Sequence, residues 1–166
     1  QCYIYAEKVG ESVRPKRNGY VDQIIDHFNQ WVVVQNTDFV RPFMMALSAH
    51  ALIELTEHEP THARVTDGSI LSMLRTAFQW ARDHCWLPVD GCFMYTDRNV
   101  STGGQEPAPD LNLLIAPVYA WLYNQTGEVK WMEYGDQAFS GGGLAAVDLH
   151  QGKQFDQQYR WSVRYV

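Results

Sequence analysis

The chain is short of lysine, with four in 166 residues, and its formal charge at pH 7 is −6. No basic stripe is available to neutralise a phosphate backbone, which sets nucleic acid aside as a partner. Long hydrophobic runs are scarce too. The longest, Leu111 to Tyr123, is about thirteen residues and holds Asn112 and Pro117, against the roughly twenty that a membrane helix needs. Gly103-Gly104 and Gly141 to Gly143 lack the following Lys and preceding apolar strand of a phosphate loop, and no G-x-S-x-G occurs. The sequence points to no cofactor and no metal.

Cysteine is sparse and odd in number, at three. Cys85 and Cys92 bracket Trp-Leu-Pro-Val-Asp-Gly, a turn-rich stretch that a disulfide could close. Two buried free thiols are expected ahead of that bridge, because spacing does not supply the geometry a bridge needs.

Aromatic and apolar residues are plentiful. A hydrophobic fraction of 46% suits a folded chain, and this length suits one domain covering 1–166. Six Trp and nine Tyr furnish either a core or a groove that stacks flat apolar faces such as sugar rings. Few lysines beside many Trp, Tyr and Gln lean towards a secreted or periplasmic setting, and the start at Gln1 towards a processed or cut chain.

Periodicity predicts an all-α fold. Residues 1–19, with Gly10, Pro15 and Gly19, read as an irregular opening segment. From Tyr20 the positions Val21, Ile24, Ile25, Phe28, Trp31 and Val32 mark a one-faced helix that ends at Asn36-Thr37-Asp38. Pro42 suits the first turn of a second helix, apolar all round to Leu55. Thr66-Asp67 can cap a third, with Ile70, Leu74, Ala77, Phe78, Ala81 and Cys85 on one face. Residues 86–109 form the longest irregular stretch and the natural place for function. Asp110 can cap an all-apolar helix that stops at Thr126-Gly127, and a return helix follows over 131–139. Residues 141–166 are a glycine-rich turn and an aromatic tail. At an offset of 69, Ala46 to His62 lies over Ile115 to Trp131, each a buried helix followed by a polar turn. Apolar helices alternating with one-faced ones suggest antiparallel helical hairpins in two layers, as a toroid or a bundle.

On the turn Thr126-Gly127-Glu128, the Ala-Trp-Leu-Tyr run at 120–123 and the aromatic loop before an inner helix, residues 20–140 resemble part of an (α/α) toroid. This is the six-hairpin barrel of many glycoside hydrolases and polysaccharide lyases. At about 50 to 70 residues per hairpin, the chain holds about half of such a ring. A second chain or copy would complete it. The resemblance implies a polysaccharide or oligosaccharide ligand and a cleft at the N-terminal ends of the inner helices.

Glycoside hydrolysis needs two carboxylates, one as acid and one as base or nucleophile. Near that cleft stand Asp38, Asp97, Glu106 and Asp110. Asp38 and Asp110 have capping as an ordinary task, whereas Asp97 has none visible, so Asp97 leads and Asp110 follows as catalytic candidates. Trp86, Tyr95 and Trp161 are candidate stacking platforms, and Arg41 and Arg98 candidate cations for a substrate. His50 could join them in a lyase, though a core histidine is the ordinary account. A non-catalytic domain that binds a glycan or a protein is the rival expectation. His58-Glu59-Pro60-Thr61-His62 matches H-E-x-x-H literally, but Pro60 breaks the helix that zinc ligation would need.

Overall fold

The computed structural model describes residues 2–101, 104–143, 161 and 163–165. These residues are mostly helical, with seven α-helices and one two-stranded sheet. The helices are α1 (Cys2–Lys8), α2 (Arg14–Phe28), α3 (Pro42–His58), α4 (Ala63–Thr66), α5 (Ser69–Cys85), α6 (Asn112–Thr126) and α7 (Val129–Ala138). A π-helical turn, Asn29–Val34, extends α2, and another, Phe139–Gly143, follows α7. The expected all-α class is thus seen.

Helices α3 and α6 carry the most continuous apolar sequence and pack on each other. Every residue from Leu111 to Tyr119 is buried, which follows from a sequence with no polar face to present. The match for α3 is less complete, because Met44 and Leu47 are exposed. On α5 the six buried residues are Ile70, Leu74, Ala77, Phe78, Ala81 and Cys85, the face that three-and-four spacing predicts. Helix α7 lies along α6, with Trp131 and Tyr134 set against the fully buried Tyr119 ring. Tyr119 gives its one donor to the Phe78 carbonyl at 3.0 Å, which satisfies a hydroxyl no water reaches.

One polar side chain organises this core. Asn112, fully buried at the start of α6, accepts from the Phe93 N–H and donates to the carbonyls of Gly91 and Ala138. It ties together the 86–93 hairpin, α6 and the end of α7. In that hairpin β1 (Trp86–Leu87) pairs antiparallel with β2 (Cys92–Phe93). Its tip, Gly91 at φ +62°, presses on Gly141. A Cβ on Gly141 would lie 2.7 Å from the Gly91 carbonyl oxygen, so neither backbone leaves space for a side chain.

The structure corrects several expectations. Residues 1–19 are largely helical. Pro15 sits in the first turn of α2, where its missing N–H is no loss, and Gly19 lies on an open face. Asp110 caps nothing: it lies in a 3₁₀ turn, Pro109–Leu111, and α6 begins after it. Gly68, not Thr66 or Asp67, occupies the cap position of α5, and Asp67 accepts from the Ser69 N–H at 2.8 Å. The possible Cys85–Cys92 bridge is not formed: both are buried free thiols, the arrangement expected ahead of it. The hairpin register explains this: Cys92 stands opposite Leu87, while the Cys85 carbonyl meets the Met94 N–H, so the thiols are offset along the ladder. The 69-residue offset carries α3 onto 111–127, almost the bounds of α6, but the next helices do not correspond: α4 has 4 residues and α7 has 10. Of the expected turn and tail at 141–166, residues 144–160 lie outside the described residues.

Candidate functional site

Four of the expected site residues meet at the start of α3. The Asp97 carboxylate accepts from the Val40 N–H at 2.7 Å, and the Asp97 N–H returns a bond to the Val40 carbonyl at 2.9 Å. Its other oxygen pairs with Arg98 at 2.6 Å, and its side chain is only 6% exposed. The bond to Asp97 and its charge hold the Arg98 guanidinium above its ordinary pKa. Arg41 lies 5.0 Å from the Tyr95 ring centre and 4.8 Å from that of Phe39, and Tyr95 rests on Phe43. Asp97 therefore has a structural task that sequence does not reveal. It fastens the 94–107 loop to the segment that leads into α3.

The remaining candidates stand elsewhere. Asp110 is half-buried and makes no cap. Trp86 meets Phe93 edge-on and lies under the Arg82 guanidinium at 4.0 Å. Trp161 stacks on His50 with ring centres 4.0 Å apart. The H-E-x-x-H match dissolves into two helix ends. His58 closes α3, Glu59 pairs with Arg17, and His62 caps α4 by accepting from the Arg64 N–H. The other His62 nitrogen meets the Asn18 side-chain oxygen at 3.2 Å, leaving neither nitrogen for a metal. Among the described residues no three His, Cys, Asp or Glu converge as ligands, and no helix is long and apolar enough to cross a membrane.

Away from the start of α3, a groove of about 670 Å³ is shared by α3, α6, α7 and residues 164–165. His50, Ile53 and Glu57 line it from α3, Trp121 and Tyr123 from α6, and Met132 and Asp136 from α7. The spacing explains the wall. His50, Ile53 and Glu57 recur at three and four residues along α3, so one helix face supplies all three. Pro117, inside α6, has no N–H to give, and nearby the Leu114 carbonyl accepts from the His50 ring at 2.8 Å. A carbonyl only accepts, so His50 carries its hydrogen on Nε2.

Tyr165 closes the groove against α7. Its ring stacks on Phe139 at 4.8 Å and its hydroxyl donates to an Asp136 carboxylate oxygen. It can approach because residue 135 is glycine, where a Cβ would stand 2.8 Å from the Tyr165 ring. Burial first, then the bond to Asp136, push the Tyr165 phenol well above its ordinary pKa. It is a standing donor at neutral pH. Arg164, on the rim, lies 5.3 Å from the Trp161 ring centre.

Sequence reasoning quoted Trp121 and Tyr123 only as a hairpin feature and missed Glu57 and Asp136. Glu57 reads as part of a helix stop, and Asp136 falls within the return helix over 131–139 with no role assigned. The Gly135-Asp136 pair is the one local signal, since a glycine inside an amphipathic helix marks a close approach.

The described residues are mostly helical, with an aromatic and acidic groove between α3, α6 and α7. Comparison with known protein families, characterised proteins and solved structures finds no match to it.

Proposed function

We propose that the chain is a carbohydrate-active helical domain, part of an (α/α) toroid, that seats a saccharide in the groove between α3, α6 and α7. The observation that carries this is the groove's wall. Trp121, Tyr123 and Tyr165 offer faces for sugar C–H surfaces, and Glu57, Asp136 and Arg164 offer groups for hydroxyls. The pairing of all-apolar α3 and α6 with one-faced α5 and α7 supports the two-layer arrangement.

Hydrolysis is preferred over elimination. Two carboxylates border one groove, as acid and base require. Asp97, with both carboxylate oxygens engaged at the start of α3, is not one of these two carboxylates.

The test is a tryptophan-fluorescence titration with neutral and acidic oligosaccharides, beside a reducing-end assay on polysaccharides. Trp121→Ala is expected to weaken binding at least tenfold. Glu57→Gln and Asp136→Asn are expected to keep binding and lose turnover. A parent protein that binds no saccharide would end the proposal, and one that binds without turnover would reduce it to a binding domain.

A further inference from the structure

The N-terminal helix is attached to the rest of the molecule in an unusual way. Helix α1 has seven residues, too few for a helix to persist alone in water, so it is helical only while docked. Three groups of its docking stand out among the described residues. Ile4 is its one buried residue, Tyr3 stacks on Tyr20 at 5.3 Å, and Glu7 reaches Arg17. The seam beneath, lined by Val21 and Ile24 of α2 and Leu52 and Leu55 of α3, keeps a hollow of about 40 Å³ under Tyr3 and Ile4.

Arg17 decides what happens when α1 leaves. Its guanidinium, in a residue 3% exposed, is paired twice: with Glu7 of α1 and with Glu59 at the end of α3. Asn18 also faces it, at 3.2 Å. His58 stands 3.7 Å from Glu7, Tyr3 and Tyr20 meet on the same seam, and His62 reaches Asn18 at 3.2 Å. Undocking therefore removes one of two carboxylates from a buried cation and leaves the other in place. A singly paired arginine is tolerable where an unpaired one is not. The joint is ready as well: Gly10 takes φ +92°, in the segment that links α1 to α2.

We propose that α1 is a detachable strap, which undocks as a unit while the body stays folded and bares the α2–α3 seam. The seam fits a helix with an apolar residue and, three positions later, a carboxylate, the Ile4–Glu7 pattern, and α1 is its built-in occupant.

Cys2, the exposed thiol on α1, gives a selective handle because Cys85 and Cys92 are buried. A fluorophore on Cys2 reports the strap by anisotropy, and the tryptophans, of which the first is Trp31, report the body. In a urea titration the label should become mobile before tryptophan emission shifts. Glu7→Gln should raise the undocked population on the order of tenfold, moving the label transition and not the tryptophan transition. Ile4→Ala should do the same without touching a charge. An unlabelled peptide of residues 2–8, added in excess, should displace the labelled strap. Label and tryptophan transitions that coincide in the parent, or that move together in both variants, would overturn the proposal.

Discussion

Asn112→Ala puts the organisation of the core to a quantitative test. Asn112 is fully buried and makes three hydrogen bonds, to the Phe93 N–H and to the Gly91 and Ala138 carbonyls. Truncation leaves three backbone groups without partners where water has no access. At about 1 to 3 kcal/mol for each orphaned group, less what relaxation recovers, the loss is about 3 to 5 kcal/mol. For a domain of this size that lowers the melting temperature by roughly 6 to 20 °C. Urea denaturation followed by tryptophan emission measures it. A loss below about 1 kcal/mol would refute the idea that this side chain joins the hairpin, α6 and α7. Asn112→Asp sharpens the test. An aspartate there faces two carbonyls, so its folded pKa rises above the unfolded value of about 3.9. Its stability is then highest below that value and falls as pH rises through the folded pKa. The aspartate variant should therefore be less stable at pH 7 than at pH 4.5, relative to the parent at each pH.

Other outcomes follow from the same structure. An aromatic disulfide reagent at pH 8 should modify Cys2 alone in the native protein and all three thiols in denaturant. Burial pushes the Cys85 thiol up to about 12, so stability should fall as pH rises above the free thiol's value of about 8.5. Gly135→Ala should displace Tyr165, so that the lost Phe139 stack and Asp136 bond offset the gain of about 1 kcal/mol in helix propensity, and should weaken saccharide binding in the proposed groove. Retained affinity would separate Tyr165 from binding. Asp97→Ala should cost about 1.5 to 3 kcal/mol by freeing the Val40 N–H, and Asp97→Asn less than half of that, because its carbonyl still accepts. Chemical denaturation of both variants checks the ratio.

Periodicity located α5 to the residue on its buried face, and placed α3 and α6 within two or three residues of their ends. These signals are local, since an apolar stripe or an all-apolar run needs no knowledge of partners. Capping was less legible. Asp110 has the right chemistry for a cap, but a 3₁₀ turn places it before the helix begins. Residues 2–8 carry no strong helical pattern, and the charge that Glu7 meets, Arg17, stands 10 residues further on. The candidate site was the least visible part. Asp97 stood out as an acid without a task only because its partner, Val40, is 57 residues away. Glu57 and Asp136 become neighbours of one groove through the packing of α3, α6 and α7, which no single stretch of sequence encodes.

The contact between Gly91 and Gly141 has a kinetic consequence. It joins positions 50 residues apart, backbone against backbone, with all of α6 and α7 in the intervening loop. The hairpin tip, held otherwise by Asn112, therefore lacks its Gly141 support until α7 has folded back along α6. The 86–93 hairpin is expected to mature late, after the helices that flank it in sequence. A larger residue at either glycine would then act chiefly on the last step of assembly, raising the unfolding rate while leaving the collapse of the helices unchanged.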